Sequence, residues 1–131
     1  CVFDTSPAFD EFEKKIFMSC DELLPVLMLD IFSLDGAETF FSNIQTMKKK
    51  NDIEGEPYIK KIILNGNDKR LKQHAELLES FTQSYTAFDI YTFPVDQAHR
   101  KAQTNRLTLH DLTETKKDTL ETLEALASEL K

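Results

Sequence analysis

Four apolar segments of the chain each end in a polar turn that carries a carboxylate or an amide. The turns are Asp4–Pro7, Asp30–Asp35, Asn65–Asp68 and Pro94–Asp96. Carboxylate oxygens are the ligands that Mg²⁺ prefers, and a carboxylate can also orient an attacking water. An Asp that directly follows a buried strand is placed for both tasks, so Asp4 is the first candidate for metal-assisted chemistry.

Asp4 also has a structural interpretation, because Asp and Ser cap the amino ends of helices. On spacing alone, Asp4 and Ser6 fit a capping role for the next helix as well as they fit a metal site. Two related motifs are excluded. An Asp-x-Ser-x-Ser metal site requires Ser where the chain has Ala8, and an Asp-x-Asp phosphorylation signature requires Asp in the place of Ser6.

The apolar segments predict buried parallel strands, since they are rich in Val, Ile, Leu, Phe and Tyr and lack polar alternation. These segments are Cys1–Phe3, Leu23–Leu29, Tyr58–Leu64 and Phe88–Phe93. Between and after them, apolar residues recur at helical spacing. The predicted helices carry the apolar stripes Phe9, Phe12 and Ile16; Leu34, Ala37, Phe41, Ile44 and Met47; Leu71, His74, Leu78 and Phe81; and Leu120, Leu123, Ala127 and Leu130.

Local signals suggest where some helices begin and end. Ser33 is the expected N-cap of the second helix, and Lys48–Lys50 stand at its carboxyl end, where the helix dipole favours cations. The last helix is expected to start after Asp111, whose spacing to Glu114 suits a capping box. Strand and helix alternation predicts a single α/β domain over residues 1–131, a parallel sheet with helices on both faces and right-handed crossovers.

Composition limits the class of protein. The chain has 131 residues, is 40% hydrophobic and has a formal net charge of -7, which is typical of a folded domain and unlike a protein that coats nucleic acid indiscriminately. No apolar run approaches the roughly 20 residues of a membrane-spanning helix, and we expect a cytoplasmic protein. Cys1, Cys20 and the three histidines lack disulfide or zinc-site spacing, so free thiols and ordinary histidines are expected.

The ordered set of motifs resembles the ParA/MinD-type partition ATPases of the SIMIBI class. Val2–Pro7 is similar to the family's Walker B strand and its Asp-Thr-x-Pro turn. Further segments resemble its later motifs in the same order: Cys20–Val26, Phe32–Gly36, Ile63–Arg70, Phe93–Asp96 and Arg100–Gln103. The match extends over nearly the whole chain and implies the carboxyl-terminal half of a P-loop NTPase-like fold with a deviant Walker A loop.

The resemblance implies roles for particular residues. Asp4 would be the Walker B carboxylate, which acts on Mg²⁺ through water, while Thr5 and Pro7 would shape the loop near the γ-phosphate. The base and ribose side of the nucleotide would be met by Asn65, at the adenine edge, and by Pro94 and Asp96. The turn after Phe93 departs from the family pattern, because it lacks the usual basic residue after Pro94.

The family's Walker A loop, with its glycines and two lysines, lies upstream of the Asp-Thr-x-Pro turn. The three glycines here, at positions 36, 55 and 66, cannot build a loop that cradles phosphate. We therefore expect ATP and Mg²⁺ to bind only in an intact parent with on the order of 100 further residues upstream. The chain alone is not expected to hydrolyse ATP.

The resemblance further implies ATP-dependent homodimerisation, non-specific DNA binding and a ParB-like centromere-binding partner, in a nucleoid-associated protein that segregates plasmid or chromosomal DNA. The candidate DNA-binding residues lie around the two later turns and are Lys69, Arg70, Arg100, Lys101 and Arg106. Each of them also fits an ordinary solvated helix surface.

Two alternative functions remain. A MinD-like positioning ATPase needs a basic amphipathic carboxyl-terminal helix, but Leu120–Lys131 carries Glu121, Glu124 and Glu129 and would be repelled by anionic lipid. Membrane binding is therefore not expected. The other alternative is a degenerate adaptor that keeps the fold and does not hydrolyse nucleotide, which the upstream sequence would distinguish.

Overall fold

The computed structural model describes residues 1–5 and 9–130, and its central element is a parallel sheet. The strands, in the order in which they pair, are β1 (Val26–Met28), β2 (Lys61–Asn67) and β3 (Asp89–Pro94). Ile63 of β2 is in register with Val26 on one side and Tyr91 on the other. The predicted α/β class and the parallel sheet are confirmed.

Helices connect and follow the strands in the described part of the chain. They are α1 (Glu11–Met18), α2 (Ile31–Lys50), α3 (Lys72–Ser84), α4 (Ala98–Asn105), a 3₁₀ turn at Leu109–Asp111, and α5 (Lys117–Glu129). None of these helices is both long and apolar enough to cross a bilayer.

Both crossover helices, α2 and α3, lie on one face of the sheet, as right-handed crossovers between strands ordered β1-β2-β3 require. Ile62 and Leu64 of β2 are fully buried there against Ala37 of α2 and Phe81 of α3. Helix α5 packs on β3. Burial and the nearby carboxylate of Glu129, at the end of α5, raise the pKa of Tyr91. Ile90, the partner of Ile62, shares its face of the sheet, and the next residue, Tyr91, points to the opposite face. Helix α5 therefore lies on that opposite face.

Two helix starts differ from the predictions. Asp30, not Ser33, is the N-cap of α2, and its carboxylate accepts hydrogen bonds from the N–H and the hydroxyl of Ser33, both at 2.9 Å. Asp111 is paired with Thr108 in a capping box around the 3₁₀ turn, and α5 begins only at Lys117. In both cases the residue predicted as N-cap lies three residues after the true N-cap. A capping box joins these two positions, and Ser, Thr and Asp side chains suit both of them.

The prediction of a strand at Cys1–Phe3 is wrong for this structure. Residues 1–5 have no strand conformation, and Val2 and Phe3 are 95% and 60% exposed. A parallel strand exists only through hydrogen bonds to a neighbour, and in the described residues no main-chain bond joins this segment to β1. The predicted strand Leu23–Leu29 is shortened to β1, because Pro25 has no N–H for the ladder.

The outer side of β1 is open. Its far edge has no strand partner in the described chain, and Val26 and Met28 are 62% and 49% exposed on the face opposite α2. Ile31 and Phe32, which follow, are also exposed. An edge strand beside uncovered apolar side chains is a surface that other chain segments can pair with and cover.

A β-bulge bends the carboxyl end of β2. Leu64 pairs with Thr92 and Asn67 with Pro94, so two residues of β2 face one residue of β3. Gly66, within the bulge, has a φ of +80°, and a Cβ there would lie 2.8 Å from Cε of Met28. Glycine adopts this left-handed conformation without steric cost.

We expect Gly66→Ala to lower the free energy of unfolding by about 1–2 kcal/mol, because a Cβ is strained at positive φ. Gly36→Ala is the matched control. Gly36 lies in α2, and a Cβ added to it would have no neighbouring atom within 4 Å, so the same substitution should stabilise the helix by roughly 0.5–1 kcal/mol. Urea denaturation midpoints measure both effects. Equal effects of the two substitutions would contradict a conformational role for Gly66.

Candidate functional site

A cleft of about 130 Å³ opens where the carboxyl ends of β2 and β3 meet the start of α5. Its walls are formed by Asn67–Arg70, by Pro94 and Val95 and, at the start of α5, by the N-cap Lys116 and by Asp118. Ligands of parallel α/β sheets bind at this edge. The structure thus brings together the two polar turns that follow β2 and β3.

An ion pair closes one side of the cleft. Nε and Nη2 of Arg70 donate to the two carboxylate oxygens of Asp68 at 2.9 and 2.6 Å, and the Arg70 N–H also donates to Asp68. These hydrogen bonds hold the pKa of the Asp68 carboxyl well below its usual range. The Arg70 side chain is 85% exposed, so its planar guanidinium stands at the mouth of the cleft.

His74 links this turn to the turn after β1. Its Nδ1 accepts a hydrogen bond from the Asp68 N–H at 3.0 Å, which places the proton of the neutral ring on Nε2. Hydrogen bonds from Ser33 lower the pKa of Asp30, and His74 contributes to the same shift. His74 therefore lies between the turn after β1 and the turn after β2.

Asp96 fastens two helices beneath the cleft. Oδ1 accepts from the Ala98 N–H at 2.9 Å, and Oδ2 accepts from the Lys116 N–H at 2.9 Å and the Thr119 hydroxyl at 2.8 Å. Burial raises the pKa of Asp96, but these three donors outweigh it, so the pKa is lowered. Nζ of Lys116 reinforces the junction by donating to the Val95 carbonyl at 2.6 Å.

The basic residues predicted to bind DNA fall into two groups. Lys69 is paired with Asp118, Lys101 is 2.5 Å from Glu114, and Arg70 is held by Asp68. Arg100 and Arg106 are exposed and form no ion pair in the described structure. Arg106 ends α4 with a φ of 55°, which directs the chain sharply away from the helix.

The structure does not bring the first predicted turn into the cleft. Asp4 is exposed, and Asp4 and Thr5 lie in an irregular segment before α1, without a hydrogen bond to the cleft in the described chain. Pro7 lies outside the described residues. Asn65 sits in the bulge, where its Oδ1 accepts the Gly66 N–H at 2.8 Å, and it is not among the cleft residues.

Sequence reasoning missed Lys116 and Asp118, which also line the cleft, and it placed Asn67 and Asp68 in a polar turn without giving either a role. Lys116 and Asp118 flank the start of α5, and a correct helix boundary would have drawn attention to them. They reach the cleft only because α5 docks onto β3, a contact that local sequence patterns do not encode.

Comparison of the chain with protein-family models, with curated proteins and with solved structures gives no match. The cleft is smaller than the 300–1,000 Å³ of an ordinary ligand pocket, so it could hold a small ligand or one part of a larger ligand. Its cations are engaged by Asp68, Asp118 and the Val95 carbonyl, so it suits an uncharged group better than a polyanion. Within the described residues, no cluster of three or more His, Cys, Asp or Glu could hold a metal ion.

We expect Asp96→Asn to remove a pH-dependent part of the stability. Because the folded-state pKa of Asp96 lies below its unfolded value, its contribution is complete above about pH 4 and is lost as the pH falls through the lowered folded-state pKa. Wild type should therefore lose more stability than Asp96→Asn between about pH 5 and pH 3. Urea denaturation across this range measures the difference. If the free energy of unfolding of both proteins falls equally with pH, the charge of Asp96 does not stabilise the fold.

Proposed function

We propose that this chain is the carboxyl-terminal half of the nucleotide-binding domain of a ParA-like partition ATPase, with a P-loop NTPase-like fold. The observation that carries the proposal is the cleft. It lies at the carboxyl edge of a parallel sheet, and it is built from Asn67–Arg70 and Pro94–Val95, which belong to segments that resemble the family's base-binding turns.

The cleft has the chemistry for the base and ribose side of ATP. Pro94 and Val95 offer an apolar wall to a planar base, the exposed Arg70 guanidinium can stack on it, and Asn67 adds a hydrogen-bonding amide. Asp68 orients Arg70 for that contact. Asp96 acts through the positions of α4 and α5, since both its oxygens are already bonded to protein donors.

The triphosphate requires residues that lie upstream. In this proposal a Gly-rich loop with lysine holds the phosphates, and Asp4 binds water of the Mg²⁺ shell, with Thr5 and Pro7 beside the γ-phosphate. Bound Mg²⁺ would neutralise charge that develops on the transferred phosphoryl group. The open edge of β1 supports a larger parent sheet, because an added strand there would pair it. The exposed Val26, Met28 and Phe32 would then offer an apolar surface to the elements that accompany such a strand.

Partition by such a protein depends on an ATP-bound homodimer, non-specific DNA and a ParB-like partner. The exposed Arg100 and Arg106 are the cations best placed to contact phosphate, because Lys69, Arg70 and Lys101 must first leave their carboxylate partners. Exposed ion pairs are worth only about 0–1 kcal/mol, so these three can still contribute to DNA binding.

The nucleotide proposal is tested with Asp4→Ala in the intact parent protein. We expect ATP turnover to be lost, because water activation and Mg²⁺ both depend on the carboxylate, while urea denaturation shows an unchanged fold because Asp4 is exposed. Glu124→Ala, which removes an exposed carboxylate of α5, is the control and should keep wild-type turnover. Normal turnover in Asp4→Ala would refute the Walker B assignment, and an intact protein that does not bind ATP in calorimetry would favour the adaptor.

The DNA proposal is tested by comparing two double variants of the same charge change. Arg100→Ala/Arg106→Ala should weaken ATP-dependent DNA binding equally on unrelated sequences and reduce the slope of log K against log salt by up to about 2. Lys69→Ala/Lys101→Ala should have a smaller effect, because those cations are already paired with Asp118 and Glu114. Filter binding at several salt concentrations measures both, and an unchanged slope in the first variant would refute the patch.

A further inference from the structure

A second concave surface, separate from the cleft, lies between α1 and the carboxyl-terminal half of α2. It is an open groove of about 640 Å³. Its floor contains Phe9, Met18 and Met47. Met47 belongs to a small buried core that also contains Phe17. Phe9 packs on Phe17, with ring centroids 5.8 Å apart. The groove therefore has a firm base with an apolar, partly sulfur-containing surface.

The rim of the groove is cationic although the protein is acidic. Lys14, Lys15 and Lys50 line it together with one carboxylate, Glu11. Lys14 binds Glu11 at 2.9 Å and lies 5.5 Å from the centroid of the Phe9 ring. The opposite charges of Lys14 and Glu11 cancel. The positive charges of Lys15 and Lys50 therefore remain at the groove, although the chain as a whole has a net charge of -7.

The positions of these lysines are not explained by helix capping alone. Lys48, in the same last turn of α2, donates to the Gly55 and Pro57 carbonyls and stabilises the following loop. Lys50 instead lines the groove together with Lys15 of α1. The pKa of Glu11 is lowered by its hydrogen bond to Lys14, and Lys15 and Lys50 add to the effect, so the three cations share one local field.

The shape of the groove selects a short peptide. Between Glu11 and Ser19 it follows α1 for about 12 Å, the length of about four extended residues. Methionine side chains adapt to different apolar partners, and the ring of Phe9 adds a rigid apolar contact. Nucleic acid is disfavoured in this groove, because its apolar floor offers phosphate no donor and only two unpaired lysines line its rim.

We propose that the groove between α1 and α2 binds an acidic peptide segment of a partner protein, which inserts a Leu or Phe side chain against Phe9, Met18 and Met47 and sets carboxylates beside Lys15 and Lys50. This interaction surface is separate from the cleft and independent of nucleotide. Apolar anchors supply most of the affinity of such peptides, while the charges select the partner and speed its association.

The test uses an array of short fluorescein-labelled peptides and the full-length protein. Each peptide carries Leu or Phe flanked by Asp and Glu, and two matched arrays replace the acidic residues with Lys or the apolar residues with Ser. Only the acidic apolar peptides should bind in fluorescence anisotropy. Lys15→Glu/Lys50→Glu should weaken them roughly tenfold or more, and Lys15→Gln/Lys50→Gln should have an intermediate effect.

Lys49→Glu/Lys60→Glu makes the same charge change at exposed lysines that do not line the groove, and it should leave binding unchanged apart from a small salt-dependent loss. Circular dichroism checks that every variant is folded. The proposal is overturned if no acidic apolar peptide binds, or if the groove and control variants weaken binding equally. It is also overturned if single-stranded oligonucleotide, and not peptide, loses affinity in the groove variants.

Discussion

The structure depends on the burial of β2 between two parallel neighbours. Ile62 and Leu64 have no exposed surface, and each side chain of this kind contributes about 1.5–3 kcal/mol when it leaves water. Their partners from α2 and α3 are extended by aromatic rings: Phe81 and Tyr85 lie 4.4 Å apart between centroids, and Phe41 stacks on Phe88 at 5.5 Å. Because both crossover helices anchor on this strand, the turns at its carboxyl end are held in one place.

The cleft inherits its geometry from this arrangement. The bulge at Gly66 redirects the end of β2, so that Asn67 and Asp68 lie beside Pro94 at the end of β3 and Val95 after it. Asp96 then ties the start of α5 to the same edge through the Lys116 N–H and the buried Thr119 hydroxyl. A hydrogen bond to a charged group contributes about 1.5–3 kcal/mol, whereas an exposed ion pair contributes about 0–1 kcal/mol. Asp96, with its part-buried bond from Thr119, is therefore a stronger determinant of the cleft than the exposed pairs on its rim.

Much of the fold could be predicted from the sequence, because buried parallel strands leave continuous apolar runs such as Tyr58–Leu64 and Phe88–Phe93. The failures share a physical cause. Cys1–Phe3 has the composition of a strand, but composition reports a preference for burial and carries no information on which neighbour supplies hydrogen bonds. Lys116 and Asp118 escaped notice since they reach the cleft through the docking of α5, a long-range contact. Local patterns also did not show which of the predicted basic residues are paired. Lys69 and Lys101 bind Asp118 and Glu114, which are distant from them in sequence.

Helix α2 separates the two candidate binding surfaces. Its 20 residues span about 30 Å, from Asp30 near His74 at the sheet edge to Lys50 in the groove. A ligand in the cleft and a peptide in the groove therefore do not compete for space, and neither surface shares a lining residue with the other. Since α2 is anchored along its length by Ala37 and Ile44, it acts as a rigid spacer. A partner seated on the groove would therefore leave the cleft accessible to a second ligand.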